Sequence, residues 1–298
     1  MARLVRGTSD FFVAGRRLGA PLIFTTVLAS NIGAGATVGA AGLGYNDGIS
    51  AWWWNGSAAI GSVFLALFIG PRIWRIASEH NLYTTGDYLE LRYGPAVRAI
   101  VASLIWIGTL SILAGQLIAG AAVLNVVAHV PRWAGTIISA SVVTIVFVSG
   151  GALSTVWTNV VQLAVLLVGF VVALPLVLSH VGGLTGIFAS ASAPPTFGNI
   201  LHSRGPGSGW MLLALGPAFV ISPGLMQKAY GASSARAVAR GIGVQAFALG
   251  LFAFIPPLFG MAARVAHPGL TDPNLVLPTI LVEQLPVALG ALTLAAVF

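Results

Sequence analysis

Eight apolar stretches run through this chain, and they decide what it can fold into. Seven cover 20–44, 50–71, 99–127, 133–150, 156–179, 209–229 and 240–263, and an eighth starts near Leu285 and runs to Phe298. A helix needs about 17–25 apolar residues to cross a hydrocarbon core about 30 Å thick. In that medium every backbone N–H and C=O must be paired internally, so runs of this length read as membrane helices. Only 7% of the residues are Asp, Glu, Lys or Arg, against about 25% in soluble domains. The sequence therefore predicts an all-α, polytopic membrane helix bundle. It excludes a soluble globular fold, a disordered chain and a nucleic-acid binder. With no Cys, disulfides and thiolate metal sites are excluded as well.

Charge placement predicts the topology. Arg3, Arg6, Arg16 and Arg17 precede an apolar run too long for a cleavable signal. With residues 1–19 inside, the cytoplasmic side holds Arg3, Arg6, Arg16, Arg17, Arg72, Arg75, Arg92, Arg98, Lys228, Arg236 and Arg240. The outside holds Arg132, Arg204 and Arg264. Eleven basic residues against three obey the positive-inside rule. The expectation is a multi-pass protein of the cell inner (plasma) membrane with a cytoplasmic N-terminus. Two longer connections are expected, a cytoplasmic one at 72–98 with amphipathic character over 85–92, and an external one at 180–208. The seven acidic residues and five His lie outside the apolar centres. An ion pathway through these spans must then use backbone carbonyls, hydroxyls and amides.

Two spans are interrupted. The first contains Ala29-Ser-Asn-Ile-Gly-Ala-Gly-Ala-Thr-Val-Gly39, where each Gly costs about 1 kcal/mol of helix stability against Ala. This reads either as an unwound stretch lining a site or as a close helix contact through Gly35 and Gly39. The sixth contains Leu215-Gly-Pro-Ala-Phe-Val-Ile-Ser-Pro-Gly224. Proline removes a helix donor and clashes with the preceding turn, so this helix breaks or kinks. If the architecture is two inverted five-helix repeats, these interruptions occupy corresponding positions, which is the sequence mark of a transporter binding site; the plainer reading is two unrelated kinks.

These residues resemble the sodium/solute symporter family, whose members share the LeuT-type inverted repeat of two five-helix halves. The resemblance is carried in order by Thr8–Gly19, Ala29–Gly33, Gly42–Gly48, Thr85–Gly94, Gly150–Gln162 and Gln227–Ser234. It implies one transmembrane transporter domain over 1–298, with a complete first repeat at 20–179 and a partial second at 209–298. The chain is then expected to lack the leading helix and to stop within core helix eight. The resemblance implies a sodium ion held by the backbone carbonyls of Ala29 and Ile32, with helix-eight hydroxyls expected beyond Phe298. It also implies a solute site drawing on Asn31, Gly33, Gly35 and Ala36, on Trp54 and Asn55, and on Leu215, Ala218 and Phe219.

Each of these residues also has a plainer reading. Asn31 and Asn55 can serve as interhelical hydrogen bonds. Trp54 follows Trp52 and Trp53, which fit an aromatic belt at the membrane interface. Gln116, a buried amide in the third span, reads as a helix–helix hydrogen bond. Asn159 stands where many relatives carry Asp, and it cannot hold a charge. No catalytic motif is present, so an enzyme is not expected. The implied function is sodium-coupled symport of a small polar or anionic organic solute by alternating access. The alternatives are a membrane sensor or interaction module of transporter-like fold, and an inactive fragment. The partners expected are sodium, a small solute and the lipid bilayer, with no nucleic acid.

Overall fold

The computed structural model describes residues 13–190, 192–202, 205–295 and 297, and for 146–158 the backbone alone. The regular elements among these are helices, and one isolated parallel bridge joins Leu18 to Ala232. The first span is α1 (Ala20–Asn31) and α2 (Ala40–Asp47), with a π-helical turn over Gly35–Gly39 between them. The second is α3 (Trp52–Phe64) and α4 (Gly70–Glu79), joined by another π turn at Leu65–Ile69. Then come α5 (Thr85–Tyr93), α6 (Pro95–Ala128), α7 (Arg132–His180) and α8 (Gly183–Ala189). The sixth span is α9 (Met211–Val220) and α10 (Pro223–Tyr230). The rest is α11 (Ala235–Phe252), α12 (Ile255–Ala266), α13 (Val276–Gln284) and α14 (Val287–Ala295). Five segments among the described residues are long and apolar enough to cross a membrane: 35–79, 95–128, 159–180, 211–230 and 235–266.

Several boundaries differ from the sequence reading. The spans expected at 133–150 and 156–179 are continuous in α7, a helix of 49 residues. Such a helix rises about 73 Å at 1.5 Å per residue, more than twice a hydrocarbon core of about 30 Å. The gap expected between these spans, at 151–155, falls where side chains are outside the description. Two Gly at about 1 kcal/mol each are too weak to end an otherwise apolar helix by themselves. The seventh span, expected as one helix, is interrupted at Ala253-Phe254 ahead of Pro256-Pro257. The connection at 72–98 is largely helical. Thr84 and Asp87 form a reciprocal capping box that starts α5, which satisfies two otherwise orphan N–H groups. The Thr8–Phe12 part of one matching stretch, together with Arg3, Arg6, Asp10 and Arg204, lies outside the described residues.

The first span runs through the middle of the bundle. Its α1 packs against α7 and α11, and its α2 against α12. The main core gathers Leu28, Ile32, Val38, Ala41 and Tyr45 with Phe170, Phe252 and Phe259. Phe170 meets Phe252 and Phe259 with ring centroids 5.6 Å away in each case. At one end, Tyr45 Oη donates to His267 O at 2.7 Å and accepts from Leu270 N–H at 3.1 Å. Arg264 covers the Tyr45 ring, and Arg132 pairs with Asp272. At the opposite end, Arg16 donates to Ala77 O at 2.8 Å and Leu82 O at 2.9 Å. Leu18 exchanges backbone hydrogen bonds with Gly231 and Ser233. The entry to the first span, the end of the second and the end of the sixth are thereby tied into one body.

The contact between α2 and α12 is backbone on backbone. A Cβ on Gly260 would lie 2.0 Å from Ala41 O, and one on Gly44 would lie 2.5 Å from Pro257 Cα. Neither neighbour is a flexible side chain that can turn aside. Gly260→Ala is therefore expected to lower stability by about 1–3 kcal/mol, as overpacking does. This is read as a lower thermal unfolding midpoint in detergent. Gly108→Ala is the control, because nothing lies within 4 Å of its would-be Cβ, and its helix should gain up to about 1 kcal/mol.

Candidate functional site

The first span stops being helical at Ile32, whose φ of −98° and ψ of 72° leave the α region. Ile32 N–H still closes the last turn on Leu28 O at 3.0 Å. A helix end leaves its last carbonyls without intrahelical donors, and here those begin with Ala29. On the far side of the break, Ala34 N–H is taken by Gln116 Oε1 at 3.0 Å. Gly33 is held against the same amide, since a Cβ there would lie 2.5 Å from Gln116 Nε2. Gly33 O accepts from Thr37 Oγ1, Thr37 N–H and Ala36 N–H at 3.0–3.1 Å. The interruption is thus narrower than the sequence reading of 29–39. It is a bend at Ile32-Gly33 followed by a π turn, not a long unwound stretch.

Two neighbours from the second span donate to carbonyls of the π turn. Trp54 Nε1 donates to Gly35 O at 3.0 Å, and Asn55 Nδ2 donates to Ala36 O at 2.8 Å. Asn55 is buried. Its amide replaces the hydrogen bond that an uninterrupted helix would have made, which a membrane-embedded backbone requires. The three donors and acceptors at the break, Gln116, Trp54 and Asn55, are all neutral. No charge has to be placed beside an ion for the backbone to stay open.

Asn31 behaves differently. Its Nδ2 is buried and has no hydrogen-bond partner. A buried polar group left unpaired costs about 1–3 kcal/mol. The carbonyl ends of Ala29 and Ile32 lie on either side of it in sequence. An all-oxygen donor set of carbonyls and hydroxyls suits a hard cation. Among the described residues, no group of three His, Asp or Glu is placed to hold a metal ion.

The sixth span breaks at Ile221-Ser222, between Pro217 inside α9 and Pro223 at the start of α10. Its α10 packs against α1, and its α9 against α3, so the two interrupted spans are neighbours. Phe219 packs against the core clusters holding Leu28 and Val27. Leu215 is half-buried and Ala218 exposed. A cavity of about 580 Å³ between the second and sixth spans is lined by Ile60, Phe64, Leu212 and Val220 among others. It is wholly apolar and holds none of the site residues, and a polar solute needs converging polar groups.

The structure brings Trp54 and Asn55 onto the carbonyls of Gly35 and Ala36, and places Phe219 against the core that packs on the first span. It adds two residues. Gln116, read from sequence as a plain helix–helix hydrogen bond, is the acceptor that holds the break open. Lys228, counted with the cytoplasmic loop charges, lies inside α10, and its Nζ donates to Ser30 Oγ. Trp52 and Trp53, read as an aromatic belt, both use their indole N–H groups. They donate to Gly250 O at 3.0 Å and Ile200 O at 2.9 Å within the protein.

Removing Gln116 tests the role assigned to it. Gln116→Leu leaves Ala34 N–H without an acceptor, which should cost about 1–3 kcal/mol. Gln116→Glu keeps an acceptor oxygen and should lose less. Both are read as unfolding midpoints. Equal losses in the two variants would point to packing alone.

The chain matches the sodium:solute symporter family over residues 11–298. It is similar to a sodium/glucose cotransporter of Vibrio parahaemolyticus, 27% identical over 96% of this chain and 55% of the relative. It is also similar to the Escherichia coli sodium/pantothenate symporter, 27% identical over 97% of this chain and 61% of the relative. The human sodium/iodide cotransporter is 32% identical over 60% of this chain and 27% of its own length. The chain thus spans between about a quarter and about three fifths of the length of these curated relatives. Among solved structures, its fold matches a Na+-coupled sialic acid symporter in a substrate-bound, outward-open state, with a TM-score of 0.78 and 17% identity. That match covers 99% of this chain and 64% of the symporter. These relatives are transporters, not enzymes, and both the apolar spans and the fold agree with a multi-pass membrane protein. Because the family match extends through the whole bundle and is not confined to one motif, the chain belongs to the sodium:solute symporter family.

Proposed function

We propose that this protein takes part in sodium-coupled symport, carrying a small polar or anionic organic solute by alternating access. The observation that carries this reading is the open end of the first span. The carbonyls from Ala29 to Ile32 emerge beside Asn31, whose buried amide has no partner. In the proposal, carbonyls of Ala29 and Ile32 hold sodium. Asn31, Gly33, Gly35, Asn55 and Trp54 frame the solute. Gln116, Trp54 and Asn55 keep the backbone from re-forming a helix when ion and solute leave. The two broken spans then belong to corresponding positions of an inverted repeat. That arrangement lets one body rock against the other around the site.

The topology follows from charge. Eleven basic residues on the inner side stand against three on the outer. We place the protein in the plasma membrane with Arg16 and the 72–98 connection inside. The Cys-free background makes labelling clean. Ser78→Cys should react with a membrane-impermeant thiol reagent only in inside-out vesicles. Labelling in right-side-out vesicles would reverse the topology.

The test of function is sodium and solute together. Saturable binding of radioactive sodium to the purified protein in nanodiscs is the first expected outcome. In proteoliposomes with an inward sodium gradient, uptake from a panel of labelled monocarboxylates, amino acids and sugars identifies the solute. Asn31→Ala should raise the half-saturating solute concentration about ten-fold, the equivalent of about 1.4 kcal/mol. Uptake that does not respond to sodium, or that Asn31→Ala leaves unchanged, would remove the reading.

A further inference from the structure

Lys228 is the chain's one lysine, and it lies in α10 within a segment apolar enough to span a membrane. An ionisable side chain in that setting is costly and is kept for a purpose. None of the ion pairs formed by the described residues includes it: these are Arg98 with Asp87 and Glu90, Arg132 with Asp272, and His267 with Glu283. Its ammonium donates instead to Ser30 Oγ. The Ser30 hydroxyl sends its own proton to Thr26 O at 2.9 Å, so the oxygen lone pairs are free to face Lys228. Ser30 is the penultimate residue of α1, directly after Ala29 and two before Ile32. The C-terminal end of a helix carries partial negative charge and attracts cations. Lys228 is therefore a cation already resting at the helix end to which we assign sodium.

We infer that Lys228 is a tethered cation that opposes sodium at the break in the first span and so sets how readily the ion leaves. This rests on the sodium reading above. Two positive charges sharing one helix end disfavour each other, more strongly where water is scarce. Sodium entering at Ala29 and Ile32 weakens the hold of the ammonium on Ser30. As the ammonium returns to Ser30, it favours sodium release. Because α10 carries Lys228 and α1 carries Ser30, the exchange also links ion occupancy to the contact between the two broken spans. The coupling is reciprocal: whatever Lys228 does to sodium, sodium does to the Lys228–Ser30 contact.

The experiment is sodium binding to the purified full chain in nanodiscs, by scintillation proximity with radioactive sodium, at constant ionic strength. Lys228→Met removes the charge and keeps the length, and should tighten sodium binding about ten-fold, within the usual span of site–site coupling. Lys228→Arg keeps the charge and should stay within about two-fold of the unaltered protein, by the same argument. Ser30→Ala removes only the oxygen that holds the ammonium. It should shift binding in the same direction as Lys228→Met but by less, which keeps a readout if the Met variant folds poorly. Tightening in Lys228→Met with no change in Lys228→Arg supports the inference. Unchanged or weaker binding in Lys228→Met overturns it while leaving the sodium site standing. Equal shifts in Lys228→Met and Lys228→Arg also overturn it, since packing and not charge would then be responsible. Absence of saturable sodium binding in the unaltered protein and in every variant would defeat the sodium reading, and this inference with it.

Discussion

A peptide group that cannot reach water must find a partner inside the protein, and this structure follows from how that demand is met where the first span breaks. Ending α1 at Asn31 frees backbone groups in a setting where each would otherwise cost several kcal/mol. Gln116 takes Ala34 N–H, and Trp54 and Asn55 take the carbonyls of Gly35 and Ala36. The groups left over, from Ala29 to Ile32, are oxygen-rich and face no charged side chain of opposite sign. The break is thus both stabilised and kept chemically open.

The packing around the break serves the same end. Backbone contact between α2 and α12 at Gly44 and Gly260 anchors the half of the first span beyond the break. Arg16 and Leu18 anchor the half before it, through backbone carbonyls of the second span, the 80–84 turn and the end of the sixth. Each half is fixed to different neighbours. The bend at Ile32-Gly33 therefore lies between two separately held bodies, which is the mechanical setting a rocking transporter needs.

Electrostatics enters sparingly, as it must in lipid. The ion pairs of the described residues involve Asp87, Glu90, Asp272 and Glu283, and none of these acids lies in an apolar span. Lys228, near the end of the sixth span, rests on a hydroxyl and a helix end, not on a carboxylate. Neutral amides shape the break, and one cation stands beside it. The acids within the first two spans, Asp47 and Glu79, are the last residues of α2 and α4.

Much of this was legible before any coordinates. Long apolar runs demand helices because lipid offers the backbone no partners, and that reasoning needs no tertiary contact. Gly33, Gly35 and the Pro217 and Pro223 pair mark broken helices because their effect on the helix is local. Asn31 and Asn55 stood out as amides at membrane depth. The position of each break was less legible. The first narrowed to Ile32-Gly33 because Gln116, 82 residues away, supplies the compensating acceptor. The same distance hid the role of Gln116, which in sequence is one amide in an apolar helix. Lys228 looked like a loop charge because it lies at the end of an apolar run. Only the docking of α10 against α1 brings it to Ser30. The interruption at Ala253-Phe254 and the continuity of α7 were likewise not visible in the pattern of apolar residues, since both depend on what packs alongside. The sequence by itself determined a membrane-embedded helical bundle with two broken spans, because burial in lipid and the backbone effects of Gly and Pro act locally. Tertiary structure alone decided which amides dress the break and which cation faces it, because those partners come from helices far apart in the chain.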